Sequence, residues 1–151
     1  AKSKILVIAA TEKDMALKPL DFFRDELARR GHEVTFEKLS DFHKYRDGVA
    51  KFDLAFLVCN TRPLYHHHRC ADWAIWPMIE CEDIKRLVVI SFGTPYFLYD
   101  VDSVDTYVNA YSDGDNSQLA AIKAMFGEIN FEGRSPVGVE HCFKFGDGLK
   151  I

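Results

Sequence analysis

The side chains best equipped for chemistry are gathered in one stretch, Asn60-Thr61-Arg62-Pro63-Leu64-Tyr65-His66-His67-His68-Arg69-Cys70. Arg62 and Arg69 each carry a planar fork of N–H donors that can grip an acid group. Tyr65, and Trp73 just beyond, offer flat faces on which a ring can stack. Asn60 and the imidazoles of His66, His67 and His68 add further donors and acceptors. As a functional surface, this stretch contacts a sugar or the active site of a neighbouring domain. As a plain solvated loop, it has the same composition, because connecting segments are polar for ordinary reasons. The sequence leaves both readings open.

His66, His68 and Cys70 alternate, and imidazole and thiolate are zinc donors. Three donors on one loop without a second cluster are a weak zinc signal and leave the loop's metal binding open, so neither a metal nor a cofactor is assigned. The histidine run lies well inside the chain and is not an appended tag. The cysteines Cys59, Cys70, Cys81 and Cys142 show no C-x-x-C spacing. Cys59 falls at the end of an apolar run, where a buried thiol is the ordinary outcome. A thiol-dependent enzyme using Cys59 and a loop histidine is an alternative, but Val58 and Asn60 are not the small neighbours that a sharp nucleophile elbow needs. Glu80, Glu82, Asp83, Asp100, Asp102 and Asp105 are close in sequence, yet charges beside helix ends are usually solvated faces. No catalytic residue is assigned.

The net charge of −4 opposes nucleic-acid binding, which favours a basic face. With 48% hydrophobic residues, a substantial core is expected. No apolar run reaches transmembrane length, and the short run at residues 5–10 is followed by charge, unlike a signal peptide. A reduced, cytoplasmic setting is expected, with no membrane partner. The start at Ala1 without Met suggests processing or excision.

These residues need a scaffold, and the hydrophobic pattern supplies one. Residues 5–10, 54–59 and 87–92 are continuous apolar runs, as expected of strands covered on both faces. Residues 34–36 and 106–111 read as two more strands. Residues 17–30 form a helix with Leu20, Phe23, Leu27 and Ala28 inward and Gly31 as its stop. Residues 117–126 form another, with Leu119, Ile122, Met125 and Phe126 inward and Asp115 or Asn116 as its cap. Helices are also expected over residues 39–49 and 71–81. Alternation of strand and helix predicts an α/β, three-layer sandwich with a mostly parallel sheet of five or six strands. The expected order is the flavodoxin-like 2-1-3-4-5, with a short antiparallel edge strand near residues 137–139. Ligands of such sheets meet the loops at the carboxyl ends of the strands, here beginning at Thr11, Asn60, Gly93 and Ser112. A receiver domain would need an Asp where Asn60 stands. A Rossmann or flavodoxin phosphate loop would need glycine or hydroxyls where Glu12 and Asp14 stand.

Three segments in order resemble the second, α/β domain of family 3 glycoside hydrolases. Residues 125–137, Met-Phe-Gly-Glu-Ile-Asn-Phe-Glu-Gly-Arg-Ser-Pro-Val, are similar to its closing helix, F-G, turn, G-[RK] and P-V. Gly127 can end the helix, Gly133 permits a tight turn and Pro136 fits a strand edge. Ser91-Phe92-Gly93-Thr94-Pro95-Tyr96 is similar to the strand-end S-x-x-[NT]-P-Y, and Phe145-Gly146-Asp147-Gly148-Leu149 to the terminal F-G-x-G-L. The resemblance covers residues 50–151 well and residues 1–49 in outline.

The resemblance implies that residues 1–151 are one α/β domain. It also implies an N-terminal TIM-barrel partner that holds the nucleophilic Asp, and a carbohydrate substrate in the cleft between them. In the β-glucosidase branch, the loop after the third strand supplies a Glu acid/base. The matching stretch here, Arg62 to Arg69, has none, so the resemblance leans to the β-N-acetylhexosaminidase branch, whose acid/base His lies in the barrel. His66, His67 and His68 are not that residue. The full enzyme would hydrolyse terminal β-linked sugars with retention, and this chain alone would not. A free-standing binding or interaction module of the same fold is the other reading.

Overall fold

A computed structural model describes residues 2–11, 18–38, 51–60, 87–99 and 104–149. The expected helices over 39–49 and 71–81 lie outside the described residues. The elements run β1 (Lys4–Thr11), α1 (Lys18–Arg29), β2 (Glu33–Lys38), β3 (Leu54–Asn60), β4 (Leu87–Ser91), a short 3-10 helix (Pro95–Tyr99), β5 (Tyr107–Asn109) and α2 (Asp115–Met125). The strands form one parallel sheet in the order β2-β1-β3-β4-β5.

The apolar runs explain why β1 and β3 are central. Successive side chains of a strand point to opposite faces, so a continuous run serves two cores. Leu6, Ile8, Ala10, Ala55, Leu57, Cys59 and Val89 pack on one face with Phe97, Leu98 and Val139. Ile5, Val7, Ala9, Phe56, Val58 and Ile90 pack on the other with Leu20, Phe23 and Leu27 of α1 and Ala121 and Ile122 of α2. Phe23 meets the Phe56 and Phe92 rings edge-on, at centroid distances of 5.5 and 5.8 Å.

Three local expectations change. Ala28 is exposed, and Glu26 takes the inward place beside Leu27. Its carboxylate accepts from Arg29 at 2.7 Å and from Arg30 at 2.9 Å, which offsets the cost of burying charge. The cap of α2 is Gly114, with no side-chain cap bond, so neither Asp115 nor Asn116 caps it. Leu119 and Met125 are half-buried, while Phe126 is exposed and lies outside the α2 core contact. Instead, Phe126 sits 5.2 Å from the His32 ring and 5.5 Å from the Arg30 guanidinium. Gly31 and Gly127 end the two helices with φ of +88° and +71°, a conformation that costs a β-carbon residue strain.

No antiparallel edge strand forms among the described residues. Residues near 137–139 instead make one isolated antiparallel bridge, Val139 to Phe143. Gly133 does not take a left-handed turn. Its carbonyl is approached so closely by Gly148 that a β-carbon at 148 would overlap it. Ser135 N–H donates to the Asp147 carbonyl and Gly146 N–H to the Ser135 carbonyl, both at 2.8 Å. The terminal F-G-x-G-L segment is thus a return that ties the chain end to residues 133–135.

Candidate functional site

The carboxyl edge of the sheet sets the site. Register places Thr11 beside Asn60, Cys59 beside Ser91, and Ser91 beside Asn109. Asn60 ends β3 on the face carrying α1 and α2, and it is buried. Its Nδ2 donates to Asp113 Oδ2 at 3.0 Å. Asp113 lies in the loop between β5 and α2, and its backbone carbonyl accepts from Gln118 Nε2 at 2.7 Å. Gln118 Oε1 in turn accepts from the Phe23 N–H of α1 at 2.9 Å. A buried amide must find partners for both its ends, and Gln118 does so by joining two helices to the edge of the sheet.

Asn60 is therefore fixed by its neighbours at the root of the polar stretch. Arg62, Tyr65, His66, His67, His68 and Arg69 lie outside the described residues, as do Cys70, Trp73 and the acids Glu80, Glu82, Asp83, Asp100 and Asp102. Asp105 is exposed.

At the end of β4, the hydroxyls hold backbone. Ser91 Oγ donates to the Thr94 carbonyl at 2.7 Å, and Thr94 Oγ1 accepts from Tyr96 N–H at 3.3 Å. Pro95, whose φ suits a helical first turn, then opens the 3-10 helix. The Ser91–Tyr96 motif is legible as this turn. At the end of β5, Tyr111 has φ +58°, and its hydroxyl shares a 2.8 Å hydrogen bond with Ser135 Oγ. The buried Oδ1 of Asn109 has no hydrogen-bond partner among the described residues.

The chemistry available here is limited. Cys59 is 0% exposed within the apolar cluster, so a reagent cannot reach its sulfur in the folded state. A nucleophile needs access and an adjacent base, and a buried thiol is inert. Among the described residues, no three His, Cys, Asp or Glu side chains converge as a metal site would require. The clearest carboxylate perturbation lies at the other end of the strands. Hydrogen bonds from Arg29 and then Arg30 hold the Glu26 carboxyl at about 2. Arg30 also pairs with Glu128, whose carboxyl it pulls below the ordinary range. That cluster fastens the end of α1 to the turn after α2, remote from the ligand edge.

Sequence reasoning passed over Asp113 and Gln118. The available signal was Gln118 in the first turn of α2, a helix whose cap is glycine, with Asp113 five residues before it.

No protein-family profile matches the sequence, and no curated protein matches it. Solved structures do. A fungal multi-domain GH3 β-N-acetylglucosaminidase, described as having a GCN5-related glucosamine N-acetyltransferase region, superposes with a TM-score of 0.73 and 22% identity. This chain carries the fold of part of a family 3 glycoside hydrolase. The match covers 98% of this chain and 16% of that one. A β-glucoside phosphorylase, BglX, superposes at 0.69 with 25% identity, covering 91% of this chain and 26% of that one. The same phosphorylase bound to 2FGlc gives 0.67 at 23% identity, with the same coverage. The chain thus spans about a sixth of the acetylglucosaminidase's length and about a quarter of the phosphorylase's. Among the described residues, no helix is long and apolar enough to cross a membrane.

Proposed function

We propose that residues 1–151 are the α/β sandwich domain of a family 3 glycoside hydrolase of the β-N-acetylhexosaminidase type. The observation that carries this reading is the fold shared over 98% of the chain with a GH3 β-N-acetylglucosaminidase, together with the lack of a Glu between Arg62 and Arg69. The partner is an N-terminal TIM barrel, which supplies the nucleophilic Asp and the acid/base. This domain faces the cleft with the polar stretch that follows β3. In it, Asn60 is the fixed root, Arg62 and Arg69 offer charge, and Tyr65 with His66, His67 and His68 offer stacking and hydrogen bonds to a terminal β-linked sugar. Retaining hydrolysis needs two carboxyl groups close together across the scissile bond. This chain contributes neither, so it positions rather than cleaves.

The test is hydrolysis of an aryl β-N-acetylglucosaminide and an aryl β-glucoside, by this chain alone and by the polypeptide that joins it to the barrel. The chain alone is inert, and the joined protein cleaves the N-acetylglucosaminide faster. Turnover that follows the isolated chain through purification defeats the reading. A joined protein that prefers the glucoside defeats the branch assignment.

A further inference from the structure

We propose that Tyr96 and Tyr99 form a stacking platform for a neutral pyranose ring, a carbohydrate contact separate from the loop that follows β3. The ligand class rests on the reading above; the platform rests on geometry. In a 3-10 helix, residues three apart eclipse one another. Tyr96 and Tyr99 are so spaced, and their rings lie parallel within 7°, with centroids 6.1 Å apart. They are 39% and 55% exposed, whereas Pro95, Phe97 and Leu98 of the same helix are buried.

The turn is held at both ends. The Ser91 and Thr94 bonds lock its entry, and Tyr99 Oη accepts from the Glu140 N–H at 3.3 Å. The Tyr99 ring, fixed in this way, has already lost rotamer freedom that binding would otherwise cost. The helix follows the carboxyl end of β4, the edge at which α/β sheets take ligands.

Charge and ring geometry select the occupant. An aromatic cage for an ammonium group surrounds the cation with several rings, while this stacked pair leaves only the outer ring faces open, each flat and backed by its neighbour. A nucleic-acid strand stacks on such faces too, but it calls for a basic groove, and this chain carries a net charge of −4. A neutral sugar ring offers polarised C–H groups to the electron-rich ring face and needs no counter-charge.

The experiment is an NMR titration of the chain, bearing isotope-labelled tyrosine, with diacetylchitobiose. Saturable shifts at the Tyr96 and Tyr99 rings are expected, in the millimolar range. Tyr96→Ala and Tyr99→Ala each weaken binding by roughly fivefold or more, the scale of one aromatic contact. Tyr99→Phe keeps the ring but loses its tie to Glu140, and weakens binding less than Tyr99→Ala; Phe145→Ala, which removes an exposed ring elsewhere, binds as the parent does. Absence of shifts at these two rings in the parent chain overturns the proposal, as do alanine variants with parental affinity. Stronger shifts with choline or a mononucleotide overturn the ligand class. Hydrolysis by the joined protein is a separate readout, so loss of the platform leaves the domain assignment standing.

Discussion

Replacing Gln118 tests the buried connection at the heart of the site. The side chain is 0% exposed, and among the described residues it accepts from the Phe23 N–H and donates to the Asp113 carbonyl. Gln118→Leu keeps nearly the same volume and deletes both. A buried hydrogen bond contributes about 1 kcal/mol net, and an abandoned buried partner costs more, so the expected loss is about 2–3 kcal/mol. Gln118→Ala removes further packing atoms and costs about 1 kcal/mol beyond that. Urea unfolding followed by circular dichroism reads the loss as a lower midpoint with an unchanged slope. Gln118→Glu adds a sharper test. The introduced carboxylate can accept from Phe23 but has no proton for the Asp113 carbonyl. Burial against that oxygen raises its pKa in the folded state above the unfolded value. The variant is therefore closest to the parent at pH below the unfolded value. It loses stability as pH rises through the raised folded value. A Leu variant within about 0.5 kcal/mol of the parent refutes the reasoning, because surface substitutions do no more. So does a Glu variant with a deficit independent of pH.

Three further perturbations probe the rest of the fold. The Glu26 carboxyl sits at about 2 in the fold, below its ordinary 4.5, so its contribution to stability is present above the unfolded value and is lost as pH falls toward 2. Glu26→Gln flattens that acid limb in a series of denaturation midpoints; an unchanged limb contradicts the assignment. Gly148→Ala forces a methyl group into the Gly133 carbonyl and releases the terminal return, seen as faster proteolysis after residue 133, whereas Gly127→Ala meets open space and costs only the strain of its positive φ, about 1 kcal/mol. In a brief alkylation of the folded chain, peptide mapping finds Cys142 labelled and Cys59 protected, since one is exposed and the other buried; rapid labelling of Cys59 revives the thiol-enzyme alternative.

The sheet was legible because its signal is strong and redundant. A run such as Ile5 to Ala10 has few homes other than a strand covered on both faces, and alternation with helices then restricts the order. Local detail was less legible where two residues compete for one role. Ala28 has the better hydrophobicity for the inner face of α1, yet Glu26 follows buried Phe23 at i,i+3, on the same side of the helix, and can recruit two arginines. Asp115 and Asn116 are good caps by type, but the chain turns one residue earlier, at Gly114. The site was legible only at its root. Asn60 could be placed from the end of β3, while its partner Asp113 is 53 residues away and announces itself by no local pattern.

The order of the sheet leaves β2 and β5 as its outermost described strands, and each is poorly suited to recruit another chain. Glu33, Glu37 and Lys38 put charge along β2, and β5 offers only three residues of backbone. Lateral growth by strand addition, the usual hazard of an open sheet, meets ionic repulsion on one border and too short a template on the other. Neither described border therefore offers a second copy a template for strand addition, even at high concentration.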